Sequence, residues 1–498
     1  MNYNLWKISL FLFLIFTFPS MGRCQDILNK SNSELDLSLS NNSQELPLTL
    51  SDAVYLTLQN NRELKVAYLQ RILDQTQLGE AESQFNPTFT PELSISYGNN
   101  QNAGTQISNK IGGLNANLNW KIPTGANIGL TWQGQIRASE NSSIAQIIQS
   151  SVLSHNINFI FSQPFLKGFG TELNTIGIKK AQLTEKANVL NLKNTTHQLI
   201  TNTILNYRAL LLAQERLKIE KISIQNATKD LERLQALFEF GRIPKNDLIE
   251  RQADIAQQEV NLVTTQSNLD KAITDLTKIL DLPITKKLVA IEIPTPPEVL
   301  DLPNYQEMMT LTFDNNSSYL SALNGVEIAK LNLIESENLQ KIDLRFNVTY
   351  GFNSANNAQD IADFNTSLTL KREFGNFSQD HAVKKSQVSL QIANLTLENT
   401  RKNLEEELKT RIRNVEDSFR QIKLAQQAKQ LAETRVINAK ERKRLGGNIS
   451  LTDIINFEKG LVDAKNQELT AIINHLNSVA QLDQFLGITS SKWSAVLK

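Results

Sequence analysis

The side chains that could carry chemistry are few and scattered. The four histidines, His155, His197, His381 and His475, fall on unrelated stretches, and none stands in a His-x-x-x-His spacing that would turn two ring nitrogens toward one metal. Cys24 is the single cysteine, so no internal disulfide can form. Gly168 and Gly170 in QPFLKGFGTELN resemble a phosphate loop only until the next residues are read. No Lys-Ser or Lys-Thr pair follows, and a backbone bend is the better reading. The acidic run Glu405, Glu406, Glu407 and the basic group Lys440, Arg442, Lys443, Arg444 read as solvated helix surface. No catalytic constellation and no cofactor site is expected, and the chain does not read as an enzyme.

The elements around these residues say more. Over 498 residues, 51 basic side chains balance 51 acidic ones and the pI is near 6.9, which leaves no basic face for nucleic acid. Residues 1–24 read as a secretory signal peptide: Lys7, then the apolar run ISLFLFLIFTF, then Ser20 and Gly22 as small residues before a cut. The run is too short to span a bilayer as a helix. Arg23 precedes Cys24 where a lipid-attachment box has a small residue, which disfavours lipidation. Residues 25–47, rich in Asn, Ser, Asp and Leu without a period, read as a mobile arm. A helical pattern starts at Leu48, with Ser51 available as its cap.

The chain is organised around a segment written twice. Gly241-Arg242-Ile243-Pro244-Lys245-Asn246-Asp247-Leu248-Ile249 returns as Gly447-Asn448-Ile449-Ser450-Leu451-Thr452-Asp453-Ile454-Ile455. Each copy has a helix-breaking Gly, an Ile, a helix-start residue, then an Asp and two apolar residues, so each reads as the tip of a helical hairpin. No Gly or Pro interrupts Ile178 to Phe240 or Asn376 to Leu445, which permits helices of roughly 100 Å. Apolar residues recur at sevens: Leu210, Leu217, Ile224, Leu231 and Phe238 going up, Leu248, Ile255, Leu262, Leu269 and Leu276 coming down. Leu408, Val415 and Ile422 with Ile455, Val462, Leu469 and Leu476 repeat this in the second hairpin, as coiled-coil packing requires.

Between 88 and 164 the period changes to two. Leu93, Ile95 and Tyr97, then Leu114 to Ile122, Ile128 to Ile136, and Ile157 to Phe161 alternate with Asn, Gln, Ser, Thr, Lys or Gly, with Ile160 the main exception. Such strands suit a membrane barrel, lipid outside and water inside. The turn PTGAN at 123–127 is tight, and Trp120 and Trp132 flank it as interfacial aromatics would. Residues 99–111 and 139–152 read as long polar external loops. A second strand set covers 343–372, and TLQNNREL at 57–64 is echoed by TFDNNSSY at 312–319. The divisions expected are a first repeat over 48–282, a Pro-rich link over 283–304 and a second repeat over 305–498. A few strands cannot close a barrel, and open edges are not tolerated in lipid, so several chains must share one barrel.

Taken in order, the signal peptide, the two copies of helix, strands, long helix, Gly-containing tip and returning helix, the Pro-rich link and the QPFLKGFG exit resemble the TolC family of outer-membrane efflux proteins. The resemblance covers nearly all of 48–493. It implies an α+β membrane protein: an outer-membrane β-barrel shared between protomers, continued by a long periplasmic α-helical coiled-coil barrel, built from two tandem structural repeats in a homotrimer. It implies that the tips at Gly241, Arg242 and Ile243 and at Gly447, Asn448 and Ile449 meet a periplasmic adaptor protein and, through it, an inner-membrane pump. Members of the family carry two acidic rings at the tunnel entrance. The first falls on Asp453 and the second on Asn456, which puts a strong cation-binding ring in doubt. The family barrel commonly takes two strands from each half, and the extra strand material at 88–164 is a departure. Asp453 also lies three residues after Ser450, a capping-box spacing, so helix capping and a pore role are both open to it.

The rival reading is a periplasmic adaptor or other coiled-coil interaction protein without a pore. An adaptor would show one hairpin inserted in small β-domains and an inner-membrane anchor, whereas this chain has two hairpins and membrane-type strands in each half.

Overall fold

The computed structural model describes residues 45–496 except for 103–104, 144–145, 284–286, 293–294, 296, 301, 357 and 376. The signal peptide, Cys24 and the arm up to residue 44 lie outside the described residues. The first half runs β1 (Glu45–Leu48), α1 (Leu50–Asn60), α2 (Arg62–Ser83), β2 (Thr88–Asn102), β3 (Thr105–Lys121), β4 (Asn127–Ser143), β5 (Gln146–Pro164), the short α3 (Thr171–Asn174), α4 (Ile176–Glu239) and α5 (Lys245–Leu280). The second runs β6 (Lys287–Ala290), α6 (Tyr305–Asn315), α7 (Ser317–Leu339), β7 (Asp343–Ala355), β8 (Ile361–Lys371), α8 (Ser378–Arg444), α9 (Leu451–Phe485) and α10 (Thr489–Val496).

The uninterrupted stretches became the long rods. The α4 rod has 64 residues and α8 has 67, each roughly 100 Å long. In the half near the large sheet the rods pack side by side in the order α2, α4, α7, α8. Toward the tips the order is α5, α4, α9, α8. Ion pairs stitch the upper layer: Arg71 on α2 meets Glu185 on α4, and Lys180 on α4 meets Glu335 on α7. The heptad reading holds for Leu210, Leu217, Leu269, Leu276, Leu408, Val415, Ile422 and Ile455, which are buried. It fails at Phe238, which is exposed, because a straight helix drifts by about 20° per heptad. The buried positions of α4 have moved there to Ala227 and Leu234.

Two short strands depart from the sequence reading. Residues 45–47, assigned to the arm, and 287–290, assigned to the Pro-rich link, pair as the parallel strands β1 and β6, with Leu46 opposite Leu288 and Leu48 opposite Ala290. Leu48 and Leu288 are buried against Tyr207, Leu210 and Leu276, and the Tyr207 hydroxyl donates to the Leu48 carbonyl at 2.9 Å. Burial of two leucines at mid-rod holds these strands where their length alone would not. The cap of α1 is Thr49, not Ser51. The Asp52 amide donates to Thr49 Oγ1 and the Thr49 amide to Asp52 Oδ2, both at 3.1 Å.

The echo between 57–64 and 312–319 has a physical basis. Asn61 ends α1 and caps α2 by accepting from the Leu64 amide at 3.1 Å; Asn316 ends α6 and caps α7 by accepting from the Ser318 and Tyr319 amides. Thr57 and Thr312, four residues earlier, are both fully buried.

Candidate functional site

The six-stranded sheet runs β2-β3-β4-β5-β7-β8, antiparallel throughout, with β2 and β8 as open edges. Because side chains alternate, residues opposite one another in register share a face. One row reads Phe89, Leu118, Leu130, Phe159, Tyr350, Phe364. The neighbouring rows hold Ala116, Trp132, Ile157 and Phe352 on one side and Trp120, Ile128, Phe161 and Val348 on the other. The opposite face carries Asn117, Thr131, Asn158, Gly351 and Asp363, and beside them Asn119, Gly129, Ile160, Thr349 and Asn365. One face is therefore mainly apolar and the other amide- and hydroxyl-rich across all six strands; Ile160 is out of place on the polar face, and His155, opposite Gly134 and Ser354, interrupts the apolar one. On β4 the apolar positions run from Ile128 to Ile136, about 27 Å along the strand and about 20 Å in height at a tilt of about 40°, close to the height of a bilayer's apolar band. Ile95 is 85% exposed and Phe364 67%, so in the single chain this apolar surface is uncovered.

The described residues of the polar segments 99–111 and 139–152 lie on strands rather than loops. Strand β2 pairs with β3 out to Asn102 opposite Thr105, and β4 with β5 out to Ser143 opposite Gln146. Where apolar residues become sparse or adjacent, as at Ile147-Ile148, the period-two signal vanishes although the ladder continues. The tight turn and the Gly bend behave as read. Gly125, Gly168 and Gly170 have φ of 97°, 85° and 107°, and a Cβ on Gly125 would lie 2.2 Å from the Gly168 carbonyl oxygen. Trp120 Nε1 donates to the Phe85 carbonyl at 2.9 Å, anchoring an otherwise half-exposed indole at the helix end of the sheet.

At the far end of the rods the two tips come together. Ile243 and Leu248 from the first pack on Leu451 and Ile455 from the second, over Leu234. Ile243 and Ile449 are half-buried, whereas Gly241, Arg242, Gly447 and Asn448 are exposed. The equivalence of Gly241 with Gly447 needs correction. Gly241 (φ 69°) and Gly446 (φ 75°) are the left-handed residues that end α4 and α8. In both, the glycine amide bonds three residues back and the next amide bonds five back: Gly241 to Phe238 and Arg242 to Leu237, Gly446 to Lys443 and Gly447 to Arg442. Gly447 thus occupies the place of Arg242, and the second tip is one residue longer before its cap. Two adjacent glycines left the sequence unable to say which would turn. The residue before each turning glycine was missed altogether: Phe240 is 80% exposed and Leu445 71%. The shared signal was an apolar residue just ahead of a helix-ending glycine.

Gly241→Val and Gly446→Val are expected to cost about 1–2 kcal/mol each through the left-handed backbone alone, since nothing lies within 4 Å of either Cβ position. Amide hydrogen exchange should rise at the tips and stay unchanged in the sheet. Equal exchange in mutant and parent would show that these turns carry no strain for a side chain.

Asp453 caps α9. Its amide donates to Ser450 Oγ at 3.0 Å, and Ser450 Oγ donates back to Asp453 Oδ2 at 2.7 Å. Asn456 is exposed on the same helix. Asp247, at the corresponding place in the first tip, pairs with Lys443 at 3.9 Å across the hairpins.

Above the tips lies a cluster that heptad reasoning missed. Arg251 on α5 is completely buried, and Asp254 and Gln258 follow it on the same stripe. The guanidinium donates to Asp230 Oδ2 on α4 at 2.7 Å, to Asp254 Oδ2 at 3.2 Å and to Glu458 Oε2 on α9 at 2.9 Å. Arg233 pairs with Asp230, Lys459 with Asp254, and Lys440 on α8 with Glu458. The arginine joins three rods directly, and the Lys440–Glu458 pair brings in the fourth. Desolvation pushes the Asp230 carboxyl up, but the hydrogen bond from Arg233 and the charges of Arg251 and Arg233 outweigh it and hold it below its ordinary value. Desolvation likewise works against the Arg251 charge, and Glu458 and Asp230 together more than offset it, leaving that pKa raised.

Among the described residues no helix is long and apolar enough to cross a membrane, and no three His, Cys, Asp or Glu side chains gather as metal ligands would. The membrane-type surface is the sheet face.

A six-stranded antiparallel sheet set on paired helical hairpins is a fold shared with solved outer-membrane channels of the TolC type. Solved structures with this fold include the outer-membrane channel OprN (13% identity, TM-score 0.66, covering 88% of this chain and 89% of that one). The CmeC outer-membrane channel of Campylobacter jejuni matches at 16% identity and TM-score 0.65 over 90% and 89% of the two chains. The open state of the MtrE outer-membrane channel of Neisseria gonorrhoeae matches at 15% and 0.64 over 88% of each. The fold matches these channels in its helical rods and its antiparallel sheet, the coarser part of what the sequence led us to expect. No protein-family model and no curated protein matches the sequence.

Proposed function

We propose that this chain is the outer-membrane exit duct of a tripartite efflux or type I secretion system, a passive conduit across the outer membrane and periplasm of a Gram-negative cell. The observation that carries this is the in-register sheet, with an uncovered apolar face about as tall as a bilayer's core and a wettable face behind it. A duct of this kind needs no catalytic group, only a bore and a wetted wall. Three copies would close the sheet into one barrel and set the hairpins side by side as a periplasmic tube, with the two halves of each chain serving as tandem repeats. The paired tips, with Arg242, Asn448, Phe240 and Leu445 exposed, would dock on a periplasmic adaptor and, through it, an inner-membrane pump. An exposed apolar residue at the same structural position in both tips supports a protein partner there. The purified full chain in detergent should have the mass of a homotrimer, and a monodisperse monomer would refute the assembly.

Asp453 would then present three carboxylates near the tunnel mouth. Since each is engaged by Ser450, Asp453→Asn should cost about 1 kcal/mol or less in stability and reduce cation selectivity slightly. Asn456→Asp, one turn along, should raise both selectivity and block by trivalent cations. Single-channel recordings beside melting curves decide it, and unchanged selectivity in both variants would remove Asp453 from the pore.

A further inference from the structure

We infer that all six strands of each copy stand in the barrel wall, so that the closed barrel has eighteen strands and the same bore as the helical tube beneath it. This rests on the trimeric duct proposed above and adds its membrane cross-section. The resemblance noted in the sequence implies two strands from each half, or twelve in a trimer, and here the first half supplies four.

The extra hairpin is built into the sheet rather than laid over it. Strands β3 and β4 are hydrogen-bonded along their whole length to each other and to β2 and β5. Their apolar residues fill the middle of the rows that begin on β2 and end on β8. Lifting β3 and β4 out of the wall would strip a ladder from β2 and β5 in lipid, where each unpaired backbone group costs several kcal/mol. It would also break an apolar face that is continuous as it stands.

The occupant of the two open edges is a second copy of this chain. Strand β2 leaves the helical end and β8 returns to it, so β8 of one copy meets β2 of the next antiparallel, in keeping with the rest of the sheet. Leu93 and Ile95 on β2 lie on the same face as Phe364 and Leu368 on β8, so a head-to-tail neighbour extends the apolar face without reversing it. The rods below have matching flanks. On the β2 side α2 exposes Val66, Leu69 and Leu73, and on the β8 side α8 exposes Val388, Ile392 and Leu395, both at helical spacing and without a partner in the single chain.

Widths agree as well. Six strands about 4.8 Å apart, tilted by about 40°, occupy roughly 37 Å of circumference. Four rods at interaxial distances of 8–10 Å occupy roughly 36 Å. Four strands would occupy only about 25 Å by the same measure. Barrel and tube therefore join without a step, and the barrel is about 1.5 times wider than a twelve-stranded one. Its inner wall is lined mainly by uncharged groups such as Asn117, Gln133, Asn158 and Asn347. The outer-membrane section would pass whatever the tube admits.

The test is a cryo-EM map of the unsubstituted full chain in lipid nanodiscs, read as a cross-section through the membrane layer. Three copies and eighteen strands are expected. Twelve strands, with residues 105–143 off the wall, would overturn the inference while leaving a trimeric duct intact. A second measurement uses a Cys24→Ser background with Ser94→Cys on β2 and, in turn, Asn365→Cys, Ser367→Cys or Thr369→Cys on β8. At least one pair should cross-link into a ladder ending at the trimer. Cross-linking only within monomers, as in a self-closed six-stranded barrel, or a ladder ending at dimers, would overturn it. A chain that enters no nanodisc and forms no oligomer would instead refute the duct itself.

Discussion

Replacing Arg251 by alanine is expected to cost about 3–5 kcal/mol and to loosen both hairpin tips together, because it leaves Asp230, Asp254 and Glu458 facing one another around a vacated, water-poor site. Arg251 is fully buried and contacts α4 and α9 besides its own helix, so no other single side chain supplies the same link. Arg233, which touches the same Asp230 from the surface, gives the comparison. It is about two-thirds exposed, and Arg233→Ala should cost no more than about 1 kcal/mol. Limited proteolysis between 241 and 250 and between 446 and 455, read beside the melting temperature, separates the two variants. Equal behaviour would show that the buried arginine does not hold the tips. Acid has a defined effect. With the Asp230 pKa depressed below 3.8, its contribution is fully present above that value and is lost only as pH falls through the lower folded-state value, so its pairing with Arg251 and Arg233 holds through the neutral range.

The second large effect distinguishes the two faces of the sheet. Leu130 lies in the row Leu118, Leu130, Phe159 on the apolar face; Gln133, three residues on, lies on the other. Leu130→Lys should destabilise the membrane-inserted protein by about 2–4 kcal/mol, the cost of a lysine near mid-bilayer on a lipid-facing strand. Gln133→Lys should cost close to nothing, since its side chain faces water. Urea unfolding in lipid vesicles measures both. Equal costs for the two variants would show that the Leu130 face is not buried in an apolar layer, and a Leu130→Lys cost that persists with the protein outside lipid would show that the face is covered by protein.

What the sequence made legible follows from signal length. Two stretches of more than 60 residues without Gly or Pro admit little but helix, and they became α4 and α8. The period of two over 88–164 and 343–372 spans enough residues to declare a face, and it returned in register across six strands. Strands β1 and β6 were invisible because four residues carry no usable period and their stability comes from Tyr207 and Leu276, distant in sequence. The outer parts of β2 to β5 looked like loops because their few apolar residues, such as Ile107, Ile147 and Ile148, no longer alternate with period two. The Arg251 cluster was hidden for a different reason. Heptad reading follows apolar residues, so Leu248 and Ile255 drew the stripe, and Arg251 between them was not singled out. Only tertiary packing, which brings Asp230 and Glu458 to it, makes its burial tolerable.

The central claim, that this sheet closes across a membrane around a water-filled bore, is tested most directly by recording from the purified full chain in planar lipid bilayers. The account predicts discrete, trimer-sized conducting units that vanish with Leu130→Lys and persist with Gln133→Lys. A protein that leaves the bilayer silent at all applied voltages, although oligomeric and folded, would contradict it.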